Sequence, residues 1–487
     1  MVASEVSPFA KTGGLADVLS GLPHALDRLG HNVTIVMPKY RGVAAAEAQV
    51  SSRPVRFGAR TRDVGFHTLT LSPRRRVVLV DMPALFDREG GLYGVGGRDY
   101  PDSAERFGWL AAAALEFVER DPDNQPCDVL HAHDWQAGLL HALIKITPAQ
   151  FPRAAAAGLV FTIHNLAYQG LFPRDTLPSL GLPWSLFRVE VGEFWGQFSF
   201  LKTGITQSDW VTTVSPSYAK ETLTAEFGGG LEGVLASRGP RYVGILNGID
   251  ADVWDPSTDP LIPARFDAAD LAGKRESKRG LLEQFGLSFG DDALERPVIG
   301  MVSRLVEQKG VDLVAALGDD LLSLDAAWIF LGQGDARYER ALTDLAARHP
   351  ARVAVRIGFD EKMAHLIEAG SDVFLMPSKF EPCGLNQMYS LRYGTVPVVR
   401  AVGGLDDTIQ PFTARARNAN GFKFQDATPE ALMRTLRQAV RMFSDREAWR
   451  GLMLNGMAAD HSWETSAREY VKVYRRARQD AAARAGH

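Results

Sequence analysis

At 487 residues the chain is too long for one hydrophobic core, since single cores stop growing at roughly 250–300 residues, and two domains of similar size are expected. Hydrophobic content of 46% and charged content of 23% are those of a globular chain, and a net charge of −4 argues against a nucleic-acid binder. Only Cys127 and Cys383 are cysteines, no apolar run reaches membrane-span length and no signal-like leader is present, so the expected setting is the reducing cytoplasm, without disulfide scaffold or membrane partner.

Residues 1–4 read as the end of a strand whose beginning lies outside the chain given. A loop and the stretch Lys11-Thr12-Gly13-Gly14-Leu15-Ala16-Asp17-Val18 follow, then a helix to Leu29-Gly30 and a second strand at residues 31–38. A lysine, two permissive glycines and a helix N-terminus in the first strand-to-helix turn suit a phosphate. Residues 55–80 alternate apolar and polar in short pieces, the pattern of hairpins, with Arg74-Arg75-Arg76 expected at a solvated tip. The glycines at 90, 91, 94, 96 and 97 predict a flexible loop, and residues 104–119 a helix.

Strand-turn-helix units then repeat. Residues 128–134, ending His131-Ala132-His133-Asp134, lead to a helix over 135–146; residues 159–165 lead through His164 into a long aromatic-rich loop; residues 210–215 lead to a helix at Pro216. Alternation places His131 and His133 on one face of their strand, but no complementary ligand cluster accompanies them, and no metal is expected. For these histidines a polar strand end touching a sugar competes with a satisfied core imidazole.

The alternation pauses near Asn247, and a second series opens with strands at 298–303, 327–331, 353–357, 373–377 and 396–399. Ser303-Arg304-Leu305-Val306-Glu307-Gln308-Lys309-Gly310 sets two cations five residues apart at a strand's carboxyl end, where they can straddle one diphosphate. In Ser378-Lys379-Phe380-Glu381-Pro382-Cys383-Gly384-Leu385 a carboxylate, a glycine and a helix expected to begin near Gly384 form the anatomy of a site for a phosphate-bearing sugar. Residues 428–443 are amphipathic, and a final helix from Thr465 carries an Ala/Arg-rich tail expected to fray.

The fold class expected is therefore α/β, two Rossmann-like doubly wound domains facing a deep interdomain cleft. Residues 1–245 make the N-terminal domain, 246–460 the C-terminal domain, and 461–487 a terminal helix and tail packing back toward the first. No G-x-G-x-x-G follows the first strand, which disfavours a nicotinamide enzyme.

Lys11-Thr12-Gly13-Gly14-Leu15-Ala16-Asp17-Val18, His131-Ala132-His133-Asp134-Trp135, Thr162-Ile163-His164-Asn165-Leu166-Ala167-Tyr168-Gln169-Gly170, Asn247-Gly248-Ile249-Asp250, Ser303-Arg304 with Gln308-Lys309-Gly310, and Glu381-Pro382-Cys383-Gly384-Leu385 come in one order along nearly the whole chain. Together they resemble the bacterial glycogen synthases and plant starch synthases. That resemblance implies a GT-B glycosyltransferase moving glucose from ADP-glucose to the non-reducing end of an α-1,4-glucan such as glycogen, with retention and without metal or cofactor. The first domain would be the acceptor side and the second the donor side.

The resemblance also implies roles. Lys11, Arg304 and Lys309 would hold the diphosphate; Asp17, His164 and Glu381 the glucosyl unit; Asn247, Cys383, Gly384 and Leu385 would line the donor pocket, with backbone contacts from Gly403, Gly404 and Leu405. Gly13, Gly14, Tyr389 and Thr408 complete the donor-binding set, and Asp134 would lie nearest the reacting centre. Many members of the wider superfamily carry a second glutamate eight positions after the first; here that position is Tyr389, which leaves the ribose contact unassigned. Another nucleotide sugar, or a catalytically silent glucan-binding protein, are the alternative readings.

Overall fold

The computed structural model describes residues 1–485 apart from 122, 124, 289–291 and 414. It forms two compact units, Met1–Gly248 with Trp463–His487, and Ile249–Ser462.

In the first unit one twisted sheet carries the strands in the spatial order Gln49–Phe57, Arg60–Ser72, Arg75–Asp81, Val33–Pro38, then residues 1–3, then Val129–His133, Gly158–Ile163, Trp210–Thr213 and Tyr242–Gly244. Residues 1–3 are short but central. Val2 donates its N–H to the carbonyl of His131 at 2.8 Å and accepts from His133, while Ala3 and Met1 bond to Val36 on the other side. Pairing is parallel except along Arg60–Ser72, which runs antiparallel to both neighbours. The order reverses at residues 1–3: chain built next lies to one side, and Val129–His133 returns on the other. In such sheets loops at the carboxyl ends part at the reversal and leave a crevice.

Two expectations need correction here. Arg74 is exposed at the hairpin turn, but Arg76 is not: its guanidinium pairs with Asp121 and Asp123 and donates to Thr34 Oγ1 at 2.8 Å. The glycine loop at 90–97 is pinned, because Tyr93 hydrogen-bonds Ser4 Oγ at 2.8 Å and donates to Glu5. Composition reads loop chemistry but not the ion pair or hydroxyl that anchors it.

The helix Trp463–Ala485 lies in the first unit. Trp463 fills the space beside Gly21, Tyr474 OH meets His131 Nδ1 at 2.8 Å, and Arg484 pairs with Asp209. The helix runs unbroken to Ala485; residues 486 and 487 lie outside the described residues.

The second unit is a six-stranded parallel sheet in the order Val353–Ile357, Ala327–Gly332, Val298–Val302, Val373–Met376, Val396–Arg400, Phe422–Phe424. Side chains alternate between its two faces as the two-residue period demands. Ile299, Met301, Trp328 and Phe330 pack into one core; Val298, Ala327, Ile329 and Leu331 into the other. The order reverses between Val298–Val302 and Val373–Met376, the two strands that precede Arg304–Lys309 and Glu381. The sixth strand, Phe422–Phe424, was too short to be read from the sequence. The helix Pro429–Phe443 begins where Thr428 Oγ1 accepts the N–H of Ala431 at 3.2 Å and proline takes the first helical position.

Candidate active site

Each unit gathers sequence-singled residues at its own reversal point.

In the second unit the loops after Val302 and Met376 are bound to each other. Gly310 has φ +71°, and a Cβ there would lie 2.0 Å from the carbonyl oxygen of Pro377, so only glycine permits the approach. Lys379 N donates to the carbonyl of Gln308 at 2.8 Å, Gln308 Nε2 to that of Phe380 at 3.3 Å, and Asn386 Nδ2 to that of Val302 at 3.0 Å. This clamp sets Lys309 Nζ 2.5 Å from Glu381 Oε2, with Ser378 Oγ donating to the same oxygen at 3.0 Å. Arg304 is exposed, and its guanidinium donates from Nη2 to Gln308 Oε1 at 3.0 Å. Two cations and a carboxylate separated by over seventy residues of sequence thus meet at one edge of the sheet.

A third loop closes on them. Gly403 has φ +46°, and a Cβ on it would meet the Glu381 carbonyl oxygen at 2.0 Å; one on Gly404 would meet the Cys383 carbonyl oxygen at 2.1 Å. The N–H of Gly404 is shared between the carbonyls of Glu381 and Pro382, both at 3.2 Å. Gln387 Nε2 ties the arrangement together through the carbonyls of Cys383 and Gly384 and through Thr408 Oγ1. Leu405 and Thr408 are buried. So is Cys383, at 5% exposure, which favours a small filler over a reagent-accessible thiol. Gly384 lies at φ +72° and Leu385 follows it; the helix begins two residues later than expected, at Asn386.

Tyr389 spends its ring elsewhere. It stacks on Trp254 at 3.9 Å, and Trp254 stacks on His365 at 3.8 Å, whose Nδ1 lies 2.8 Å from Asp259. No local pattern announces this column, because Trp254 belongs to a loop whose partners are over a hundred residues away. A second aromatic was also missed: Phe359, 77% exposed, follows the strand Val353–Ile357 at the carboxyl edge that also bears Arg304. An exposed phenylalanine after Gly358 was the available signal.

In the first unit Lys11 Nζ meets Asp17 Oδ1 at 2.6 Å at the start of the helix Gly14–Arg28. Gly13 and Gly14 are not demanded by the fold. Gly13 is extended at φ −160°, and a Cβ on either would meet nothing within 4 Å. What they leave is room in front of the helix. The loop is held from behind by Glu5, a buried residue that no local sequence pattern marks: its carboxylate accepts the N–H and Oγ1–H of Thr12, the N–H of Gly13 and the phenol of Tyr93.

On the neighbouring strand end Asp134 has φ +55°, ψ −179°, a combination almost confined to glycine. Strain of this kind survives only where surrounding structure over-determines it. Asp134 Oδ1 accepts the N–H of His164 at 2.7 Å. Burial pushes its carboxyl up to about 7, opposed by the N–H groups of His164 and Asn165 and assisted by the charge of Glu5. His164 Nε2 lies 3.0 Å from His133 Nδ1, and burial lowers the His164 imidazole to about 3, so it is neutral at physiological pH. His131 bonds Thr162 Oγ1 at 2.5 Å and Tyr474, and is a satisfied core imidazole. Asn247 is buried, and its Oδ1 has no hydrogen-bond partner among the described residues. No group of three His, Cys, Asp or Glu side chains suited to a metal occurs among the described residues, nor is any described helix long and apolar enough to cross a membrane.

The chain matches known proteins over nearly its full length. Residues 1–237 match the starch synthase catalytic domain family, and residues 290–450 the glycosyl transferases group 1 family. It is 51% identical to a glycogen synthase of Anaeromyxobacter dehalogenans, over 97% of this chain and 98% of that one, and 46% identical to one of Koribacter versatilis, over 98% and 97%. Among solved structures, the catalytic domain of starch synthase IV from Arabidopsis thaliana bound to ADP and acarbose superposes with TM-score 0.87 at 34% identity, covering 98% of both chains. Sucrose-phosphate synthase from Thermosynechococcus elongatus, at 18% identity and TM-score 0.59 over 98% of this chain and 97% of that one, shares the fold alone. With two doubly wound units of the GT-B class, each gathering its polar residues where its strand order reverses, and relatives of this identity spanning the whole length, the chain belongs to the glycogen synthase and starch synthase family of glycosyltransferases.

Proposed function

We propose that the chain transfers glucose from ADP-glucose to the non-reducing end of an α-1,4-glucan with retention of configuration, using no metal or cofactor. The observation that carries the donor half is the clamp uniting Arg304, Lys309 and Glu381 at the reversal point of the second sheet. Arg304 and Lys309 bind the diphosphate, and Glu381, held in place by Lys309 and Ser378, accepts from glucose hydroxyls. Phe359 offers a flat face to the base. The starch synthase IV neighbour was solved with ADP, which supports an adenine nucleotide as donor.

In the first unit Lys11 serves phosphate oxygens, Asp17 and neutral His164 serve the glucosyl unit, and Asp134 meets the acceptor hydroxyl. A carboxyl poised near 7 is matched to exchanging a proton at neutral pH. A half-protonated carboxyl is a poor covalent nucleophile, which favours attack on the face the leaving group vacates over a double displacement. The departing diphosphate gathers negative charge, and preorganised cations stabilise it more in the transition state than in the ground state.

The test is turnover with ADP-glucose and UDP-glucose side by side, on glycogen and on free glucose, with the linkage read by NMR. Glucose entering glycogen through α-1,4 bonds from ADP-glucose is expected. Turnover confined to UDP-glucose or to free glucose would make it a different transferase; glycogen binding without turnover would make it a silent glucan binder.

A further inference from the structure

Trp195 stands at the tip of the hairpin joining Glu193–Phe194 to Gln197–Ser199, and the fold supplies no reason for it. Its backbone is at φ +52°, followed by Gly196 at +79°, and 82% of its surface is exposed. Positive φ disfavours a bulky side chain, and an exposed indole gains nothing from the core. Glu193 Oε1 locks the turn by accepting the N–H of Gly196 at 2.7 Å. The tip is therefore a rigid mount for an aromatic face.

The surroundings extend that face. The hairpin belongs to a three-stranded antiparallel sheet whose third strand, Leu171–Pro173, follows His164 by seven residues. Gln169 Nε2 donates to the carbonyl of Gly229 at 2.9 Å, and a Cβ on the adjoining Gly230 would meet Phe194 Cζ at 3.0 Å and Trp195 Nε1 at 3.3 Å. Gln169, the glycine pair and Phe194-Trp195 are thus contiguous, and Tyr168, 56% exposed, adjoins Gln169. The patch consists of two exposed aromatics, an amide and bare backbone. Aromatic side chains with an apolar body and a polar tip suit a partner that is apolar on one side and wet on the other, as a sugar ring is.

We infer that this hairpin is a stacking subsite for the α-glucan chain, holding sugar units beyond those at Asp134 and His164. The inference rests on the acceptor reading above. The occupant follows from position, since the patch continues the chain segment that carries His164, and from the length of a polymer that outreaches one reaction centre.

The experiment uses the full chain and three variants: Trp195→Gly, which suits the left-handed backbone, Trp195→Phe, and Tyr168→Ala. Glycogen affinity is read by retardation in native gels containing glycogen, alongside KM for glycogen and for ADP-glucose and size-exclusion profiles. Trp195→Gly should weaken glycogen binding about tenfold, Tyr168→Ala somewhat less, and Trp195→Phe should restore most of it, with KM for ADP-glucose held. Equal glycogen affinity in the wild type and in Trp195→Gly overturns the inference while the transferase reading stands. So does a change of oligomeric state with glycogen affinity intact, which would make the tip an interface between copies. A wild-type chain that neither binds nor extends glycogen overturns both.

Discussion

Asp134→Asn should inactivate the protein and stabilise it, and the stabilisation should depend on pH. The substitution keeps an Oδ1 that can accept the His164 N–H and keeps a residue type tolerant of positive φ, so it removes charge with little else. The folded carboxyl sits at about 7 against an ordinary 3.8, a gap worth about 4 kcal/mol. Its sign follows from proton counting. Between those two values the folded state holds a proton that the unfolded state has released, so the contribution of this carboxyl to native stability falls as pH rises from about 4 to about 7 and is level above. Asparagine escapes that cost. The advantage of Asp134→Asn should grow by about 2–3 kcal/mol between pH 5 and pH 8, read as a widening gap in denaturation midpoints. Transfer to glycogen should drop by about a hundredfold or more, the usual scale for losing an acid-base group. A pH-independent gap, or a variant less stable at pH 8 than the wild type, would refute the account of Asp134 as a buried, strained, functionally retained carboxylate.

The other predictions follow from the same geometry. Arg304→Ala should lower kcat by about a hundredfold with Tm unchanged, because Arg304 is exposed, whereas Lys309→Ala should lower both, because it leaves the buried Glu381 carboxylate unpaired at a cost of about 3–5 kcal/mol; intact kcat with only KM raised would contradict this. Gly13→Ala and Gly14→Ala should fold normally and lose activity, while Gly403→Ala and Gly404→Ala should lose stability, as paired melting curves and assays would show. Burial keeps His141 and His164 neutral in the fold, each lowered to about 3, so the unfolded state takes up protons first and the contribution of each imidazole to stability should fall as pH drops below about 6.5, by up to about 1.4 kcal/mol per pH unit, opposing the contribution of Asp134; an unaltered slope in His141→Gln would refute it.

Much of the molecule is written in local pattern. Apolar runs of four to six residues separated by helical stretches specify parallel strands, because a strand buried on both faces needs continuous apolar side chains, and five of the six strands in the second unit were legible on that basis. Lys11, Asp134, His164, Arg304 and Glu381 stood out as polar groups at strand ends, where apolar pattern stops and loop chemistry begins. Phe422–Phe424 and Trp195 did not, since three residues carry no period and a surface tryptophan has no neighbours in sequence that explain it.

What only the tertiary structure decided is which of these groups meet and what holds them. The Lys309–Glu381 pair depends on strand order, and strand order is a property of the whole sheet, to which no window of sequence has access. Glu5 behind the Lys11 loop, the Trp254 stack that claims Tyr389, and the strained φ of Asp134 arise from contacts across tens to hundreds of residues. Local chemistry fixes what a side chain can offer; the packing of distant segments fixes the partner it is offered to, because burial and hydrogen bonding are settled between surfaces and not along a chain.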